Sequence, residues 1–137
     1  MADPLSLAAS AVALLGAGST CATLLFDLVL TLHKAPEELL ALSNEVNELK
    51  SVLQDITDIC GAIDADDSST ASARSKIKNL LARAREALKK LDDLLKEPSE
   101  RWTWIRKKAR ANKLRGQLKD IRKDLNESLA LFRTRAT

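Results

Sequence analysis

The sequence predicts an all-α protein, an antiparallel bundle of four main helices at about residues 5–33, 36–63, 73–96 and 100–133. Three observations predict it. The apolar supply, 45% of 137 residues, is mostly Leu and Ala, both good helix formers, whereas aromatics reach only 3%. Apolar positions recur at alternating steps of three and four residues, which keeps them on one stripe of a helix. The segments are joined by short polar connections, which suit antiparallel neighbours in one domain of ordinary size. A long coiled-coil oligomer is the structural rival, because heptads also specify seams between chains.

The first helix is read from Leu7, Ala11, Leu14, Gly18, Cys21, Leu25, Leu28 and Leu32. Its run from Leu5 to Phe26 has no charged side chain and reaches the length of about 20 residues needed to span a bilayer. Ser6, Ser10, Ser19, Thr20 and Thr23 dilute its hydrophobicity. Ala9, Ala13 and Ala17 repeat every four positions, a spacing that allows close helix approach. For a resting soluble bundle, this composition predicts a helix covered by neighbours on most sides.

Pro36, Glu37 and Glu38 start the second helix, since Pro is tolerated in the first turn and carboxylates favour the positive end of the helix dipole. Its stripe is Leu39, Leu42, Val46, Leu49, Leu53, Ile56, Cys60 and Ile63, and its polar face carries Glu38, Glu45, Glu48, Asp55 and Asp58. Asp64 to Ala73 has no apolar period and reads as a mobile loop. The third helix follows with Ile77, Leu81, Ala84, Leu88, Leu91 and Leu95, widened by Leu80, Ala87 and Leu94. Glu97, Pro98 and Ser99 end it. The fourth carries Leu114, Leu118, Ile121, Leu125, Leu129 and Phe132, with Trp102, Trp104 and Ile105 near its start.

The net charge of +3 conceals an asymmetry: residues 1–73 sum to −9 and residues 74–137 to +12. Between Arg101 and Lys123 there are ten basic residues and one acid, Asp120. Such a block invites an anionic partner, whereas an acidic half packed beside a basic half neutralises part of it. Nucleic acid is disfavoured, because no Tyr or Phe supplies a stacking platform and no helix-turn-helix or zinc signature accompanies the charge. Trp102 and Trp104, two residues apart, suit either a membrane interface or a lid on the core.

Catalysis, cofactors and metals are not expected. His33 is the one histidine and has no ligand-spaced partner, and Gly16 and Gly18 lack the Gly-Lys-Ser/Thr ending of a phosphate loop. Cys21 and Cys60 fall on core stripes and read as buried thiols. The Met-Ala-Asp start lacks the basic region of a secretory signal.

The opening Met-Ala-Asp-Pro-Leu-Ser-Leu-Ala-Ala-Ser-Ala-Val-Ala-Leu-Leu-Gly resembles the start of HeLo-like amino-terminal domains of fungal NOD-like (STAND) receptors. The similarity continues through Ala35–Leu39, Leu42–Leu49 and the basic helix from Trp104 to Leu131, so it spans essentially the whole chain, 1–137. The resemblance implies a helical bundle related to that of mixed-lineage kinase domain-like protein. It also implies a programmed cell-death and innate-immunity module at the head of a larger receptor, cytoplasmic at rest and at the plasma membrane when activated. The expected function is a membrane-targeting effector that oligomerises and inserts its amino-terminal helix into anionic membranes. Membrane insertion falls to Leu5, Leu7, Leu14, Leu15, Leu24, Leu25 and Phe26, and anionic lipid to Arg106, Lys107, Lys108, Arg110, Lys113 and Arg115. Trp102 and Trp104 are the interfacial residues. Expected partners are anionic lipids, further copies of the chain and a downstream receptor domain. The alternative is a soluble homotypic or regulatory bundle without membrane activity.

Overall fold

In a computed structural model of the chain, the described residues are 7–31, 37–65, 71–96 and 101–136; side chains at 8, 31, 60–65, 71–73, 101–108 and 131–136 are outside the description. These residues form four α-helices: α1 (Leu7–Thr31), α2 (Glu37–Ala65), α3 (Ala71–Lys96) and α4 (Arg101–Ala136). No strand occurs among them. Two boundaries differ from the sequence reading. Asp64 and Ala65 continue α2 and Ala71–Ala73 open α3, so the polar stretch read as one loop partly extends the helices on either side. Nothing in those residues forbids helix, and a helix end propagates at little cost once its neighbours are ordered.

Each helix packs mainly on two others: α1 on α2 and α3, and α4 on α2 and α3. The corners of the bundle therefore run α1, α2, α4, α3, with α1 diagonal to α4. Gly18 and Lys50 stand equally far from the α1–α2 connection and touch. A Cβ built on Gly18 would lie 3.1 Å from Lys50 Cγ, so this glycine lets the two backbones close on a lysine stem.

The apolar stripes meet in one continuous core. Leu7, Ala11, Leu14, Cys21 and Leu25 enter it from α1, and Leu39, Leu42, Val46, Leu49, Leu53 and Ile56 from α2. α3 gives Ile77, Leu81, Ala84, Leu88, Leu91 and Leu95 on its main line and Leu80, Ala87 and Leu94 on the widened edge. α4 gives Ala111, Leu114, Leu118, Ile121, Leu125 and Leu129. Full burial of one such leucine stabilises by about 1.5–3 kcal/mol. Cys60, Ile63 and Phe132 from the predicted stripes, and His33 and Leu32 from the connection, lie outside the described residues or side chains.

One residue assigned to the polar face is in the interior. Glu45 is 8% exposed, and its Oε1 accepts a hydrogen bond from Arg122 Nε at 2.7 Å across the α2–α4 seam. The same Nε lies 3.2 Å from Glu48 Oε2. The hydrogen bond to Glu45, aided by both carboxylates, raises the Arg122 pKa further above neutrality, so the guanidinium stays charged. The acidic and basic halves thus neutralise each other along this seam, where charge-assisted hydrogen bonds compensate for burial.

Candidate membrane-facing site

α1 is the element whose composition and environment disagree. Its segment Ala9–Leu30 is long and apolar enough to cross a membrane, yet only 22% of it is buried in the bundle. This corrects the expectation of a helix covered on most sides. Two neighbours cover one stripe, and no third element among the described residues packs mainly on the outer face. Val12, Phe26 and Leu30 are 57%, 60% and 68% exposed there, joined by Leu40 of α2 at 44%. Helical geometry turns each residue by about 100°. That places Phe26 and Leu30 on the α2 side of the outer face of α1, and Leu40 on the α1 side of α2. The three therefore border one seam.

The hydroxyls that dilute this helix are partly satisfied within it. Thr20 Oγ1 donates to the Gly16 carbonyl at 3.1 Å, and Thr23 Oγ1 donates to the Ser19 carbonyl at 3.0 Å. A hydroxyl bonded to its own helix enters hydrocarbon at lower cost than one stripped of water without a partner. The outer face of α1 is thus more lipid-compatible than its residue names suggest.

The residues assigned to insertion divide three ways. Leu7, Leu14 and Leu25 are buried on the core face, Leu15 and Leu24 are half-buried at its edges, and Phe26 is exposed. Leu5 lies outside the described residues. Among the described members of this set, Phe26 alone is exposed while the bundle is closed; the core leucines would be uncovered only if α1 left it.

Of the residues assigned to anionic lipid, the three whose side chains are described do not share one face. Arg110, Lys113 and Arg115 are exposed on α4, whereas the side chains of Arg106, Lys107, Lys108, Trp102 and Trp104 are outside the description. Arg115 precedes Arg122 by one heptad, so it lies on the flank turned to acidic α2. Lys113 stands about 200° away around the helix. α4 also occupies the corner diagonal to α1, so its outer face and that of α1 point in opposite directions.

A cationic row beside α1 was not singled out from the sequence. Cys21 donates its thiol hydrogen to the Leu88 carbonyl at 3.6 Å, and Asp92 and Lys96 are close enough to act on it electrostatically. These contacts fix which flank of α3 borders α1. Lys78, Arg85 and Lys89 repeat at helical spacing on that flank with Lys96, and all four are exposed. Lys96 Nζ pairs with Asp92 Oδ2 at 2.9 Å, whereas Asp92 Oδ1 is buried with no hydrogen-bond partner among the described residues. The signal was present as steps of seven, four and seven, but without the neighbour's identity it reads as an ordinary solvated face. No group of three His, Cys, Asp or Glu among the described residues is placed to hold a metal ion.

The fold and this exposed helix define an all-helical domain whose first helix buries an apolar stripe and exposes Val12, Phe26 and Leu30 among small and hydroxyl residues and Asp27. The chain belongs to the PigL_N family, described as pigment biosynthesis cluster protein PigL N-terminal, which matches residues 2–135. No curated protein and no solved structure matches the chain.

Proposed function

We propose that this chain is a HeLo-like, membrane-targeting cell-death effector domain, the amino-terminal module of a NOD-like receptor. In this reading it rests in the cytoplasm. Clustered by a downstream receptor part, it moves to the anionic plasma membrane and inserts α1. The observation that carries the reading is the outer face of α1: an uncharged run from Ala9 to Phe26, with Val12 and Phe26 largely exposed. A soluble domain gains nothing from such a face unless something covers it. Clustering multiplies weak docking by raising the effective concentration of further contacts. Release of Leu7, Leu14 and Leu25 from the core then completes an apolar helix of bilayer length.

Leakage of dye from anionic vesicles by artificially clustered protein tests this. Leakage is expected, and its absence sinks the insertion step. A Gly18→Cys/Lys50→Cys pair, in a Cys21→Ala/Cys60→Ser background, joins α1 to α2 where a Cβ at position 18 lies 3.1 Å from Lys50 Cγ. Oxidation of that pair is expected to abolish leakage, and reduction to restore it.

A second reading rests on Leu40, Phe26 and Leu30, which equally suit a protein partner. A homotypic interaction bundle would self-associate through that seam, with no affinity for lipid. Sedimentation in the presence and absence of vesicles separates the two.

A further inference from the structure

A helix at the corner of a bundle needs one heptad line to reach the core, and α1 carries two. The inner line, Leu7, Ala11, Leu14, Gly18, Cys21 and Leu25, is buried. The outer line, Val12, Gly16, Ser19, Thr23, Phe26 and Leu30, repeats the same alternating steps of four and three, and all six residues are exposed and uncharged. A turn of about 100° per residue keeps these six within an arc of about 80°. A lipid surface has no use for a seven-residue period, whereas a second helix requires one.

The outer line stands about half a turn from Cys21, which meets α3, so it lies on the side of α1 turned away from α3. On α2, Leu40, Asn47 and Gln54 are likewise exposed, uncharged and seven apart. They stand close to half a turn from Glu45, which meets α4. Because α1 and α2 occupy adjacent corners, the two lines share one broad face of the bundle.

We propose that this face pairs with the same face of a second copy of the chain, α1 on α1 and antiparallel, about a two-fold axis between Ser19 and Thr23. The inference rests on the homotypic reading above and deepens it by naming the surface and its register. The antiparallel pair sets Val12 against Leu30, Gly16 against Phe26 and Ser19 against Thr23 of the second copy. Large then meets small: a Cβ built on Gly16 has nothing within 4 Å, so the ring of Phe26 has room there. A parallel pair would set Phe26 on Phe26 and Gly16 on Gly16, a clash and a hole. Thr23 keeps its hydroxyl on the Ser19 carbonyl, so that donor stays satisfied when water leaves.

The face is large enough for a closed two-fold dimer. Two helices wide and five turns long, it measures about 20 Å by 27 Å, so a pair buries about 1,100 Å², the size at which a specific interface begins. Carboxylates stay at its rim. The two-fold axis sets the two Asp27 side chains about 18 Å apart along the helices. Asp58 lies one turn beyond the α2 line, where its Oδ1 accepts a hydrogen bond from Gln54 Nε2 at 3.0 Å. Such a pair covers in solution the face that the membrane reading turns to lipid, and has to open before α1 inserts.

Sedimentation equilibrium over a range of concentrations tests the pairing, with a rise from the mass of one chain to that of two expected. Gly16→Leu fills the socket of Phe26 but meets open space on its own copy, so its circular dichroism and urea unfolding should hold or improve. Its dimer dissociation constant is expected to rise at least about tenfold, since both sockets are then overfilled. Register is read by oxidising a mixture of Val12→Cys and Leu30→Cys chains in a Cys21→Ala/Cys60→Ser background. The mixed disulfide between positions 12 and 30 is expected in preference to 12 with 12 and 30 with 30. The reverse preference, or a dimer that Gly16→Leu leaves intact, overturns the pairing and leaves the homotypic reading standing. A wild-type chain that stays monomeric up to millimolar concentration overturns both, and the exposed face of α1 then falls to lipid.

Discussion

α1 and α3 bury comparable stripes against the same core and differ almost entirely on the sides that face away from it. α3 buries Ile77, Leu81, Ala84, Leu88, Leu91 and Leu95 and turns Lys76, Arg83, Glu86 and Lys90 to solvent. α1 buries Leu7, Ala11, Leu14, Cys21 and Leu25 and turns out Val12, Gly16, Thr23 and Phe26. The inner stripes account for the fold, since burial of apolar area drives it. The outer faces are under no such demand. A charged one keeps a helix soluble, whereas an apolar one leaves surface whose burial needs a partner. In this molecule the fold is written on the inside of both helices, and the proposed function rests on the outside of one.

Core substitutions should affect the two helices alike and by the largest amounts. Leu25→Ala in α1 and Leu88→Ala in α3 are each expected to lower stability by about 2–5 kcal/mol in urea unfolding. A much smaller loss for Leu25 would mean that α1 is only loosely held even before a trigger. Next comes the seam away from α1. Arg122→Met leaves buried Glu45 without its donor and is expected to cost about 3 kcal/mol, whereas joint Arg122→Met/Glu45→Leu should recover most of that loss. Loss confined to the single variant identifies the uncompensated carboxylate as the cause.

The outer faces should differ in effect on membranes without differing in stability. Phe26→Asp and Arg83→Asp both change exposed positions, so each is expected within about 0.5 kcal/mol of wild type in unfolding. Only Phe26→Asp should weaken flotation on anionic vesicles. The two glycines of α1 sharpen the picture further. Gly16→Ala meets open space and is expected to gain up to about 1 kcal/mol from helix propensity. Gly18→Ala should gain less, because the Lys50 stem has to shift.

The smallest effect concerns Lys96, whose pKa is raised chiefly by its hydrogen bond with Asp92. A raised lysine pKa in the folded state gives stability that is full below the ordinary lysine value and fades as pH rises through the folded one. The melting difference between wild type and Lys96→Met should therefore shrink only in strongly alkaline solution.

The stripes of all four helices were legible in the sequence because period and burial are tied by geometry. Leu39 through Ile56 and Ile77 through Leu95 fall where alternating steps of three and four put them. Glu45 was not legible. Its position near the edge of the polar face is compatible with solvent, and only the tertiary approach of Arg122, 77 residues later, brings it inside. The candidate site was half legible. The apolar run of α1 announced itself, but not that two neighbours would leave its outer side open, nor which basic helix would border it. The dense block of Arg and Lys in α4 drew attention by number, whereas the row in α3 is recognised only once Cys21 is seen to meet Leu88.

The comparison of α1 with α3 reduces to which outer face leaves water at a membrane. Spin labels at position 26 (Phe26→Cys) and position 83 (Arg83→Cys), in a Cys21→Ala/Cys60→Ser background, measure this on anionic vesicles. Collision with oxygen, which enters the acyl region, is compared with collision with a water-soluble nickel chelate. The account predicts a label at 26 that favours oxygen strongly on vesicles but not in solution, and a label at 83 that favours the chelate in both. Two labels equally open to the chelate on vesicles that bind the protein would contradict it.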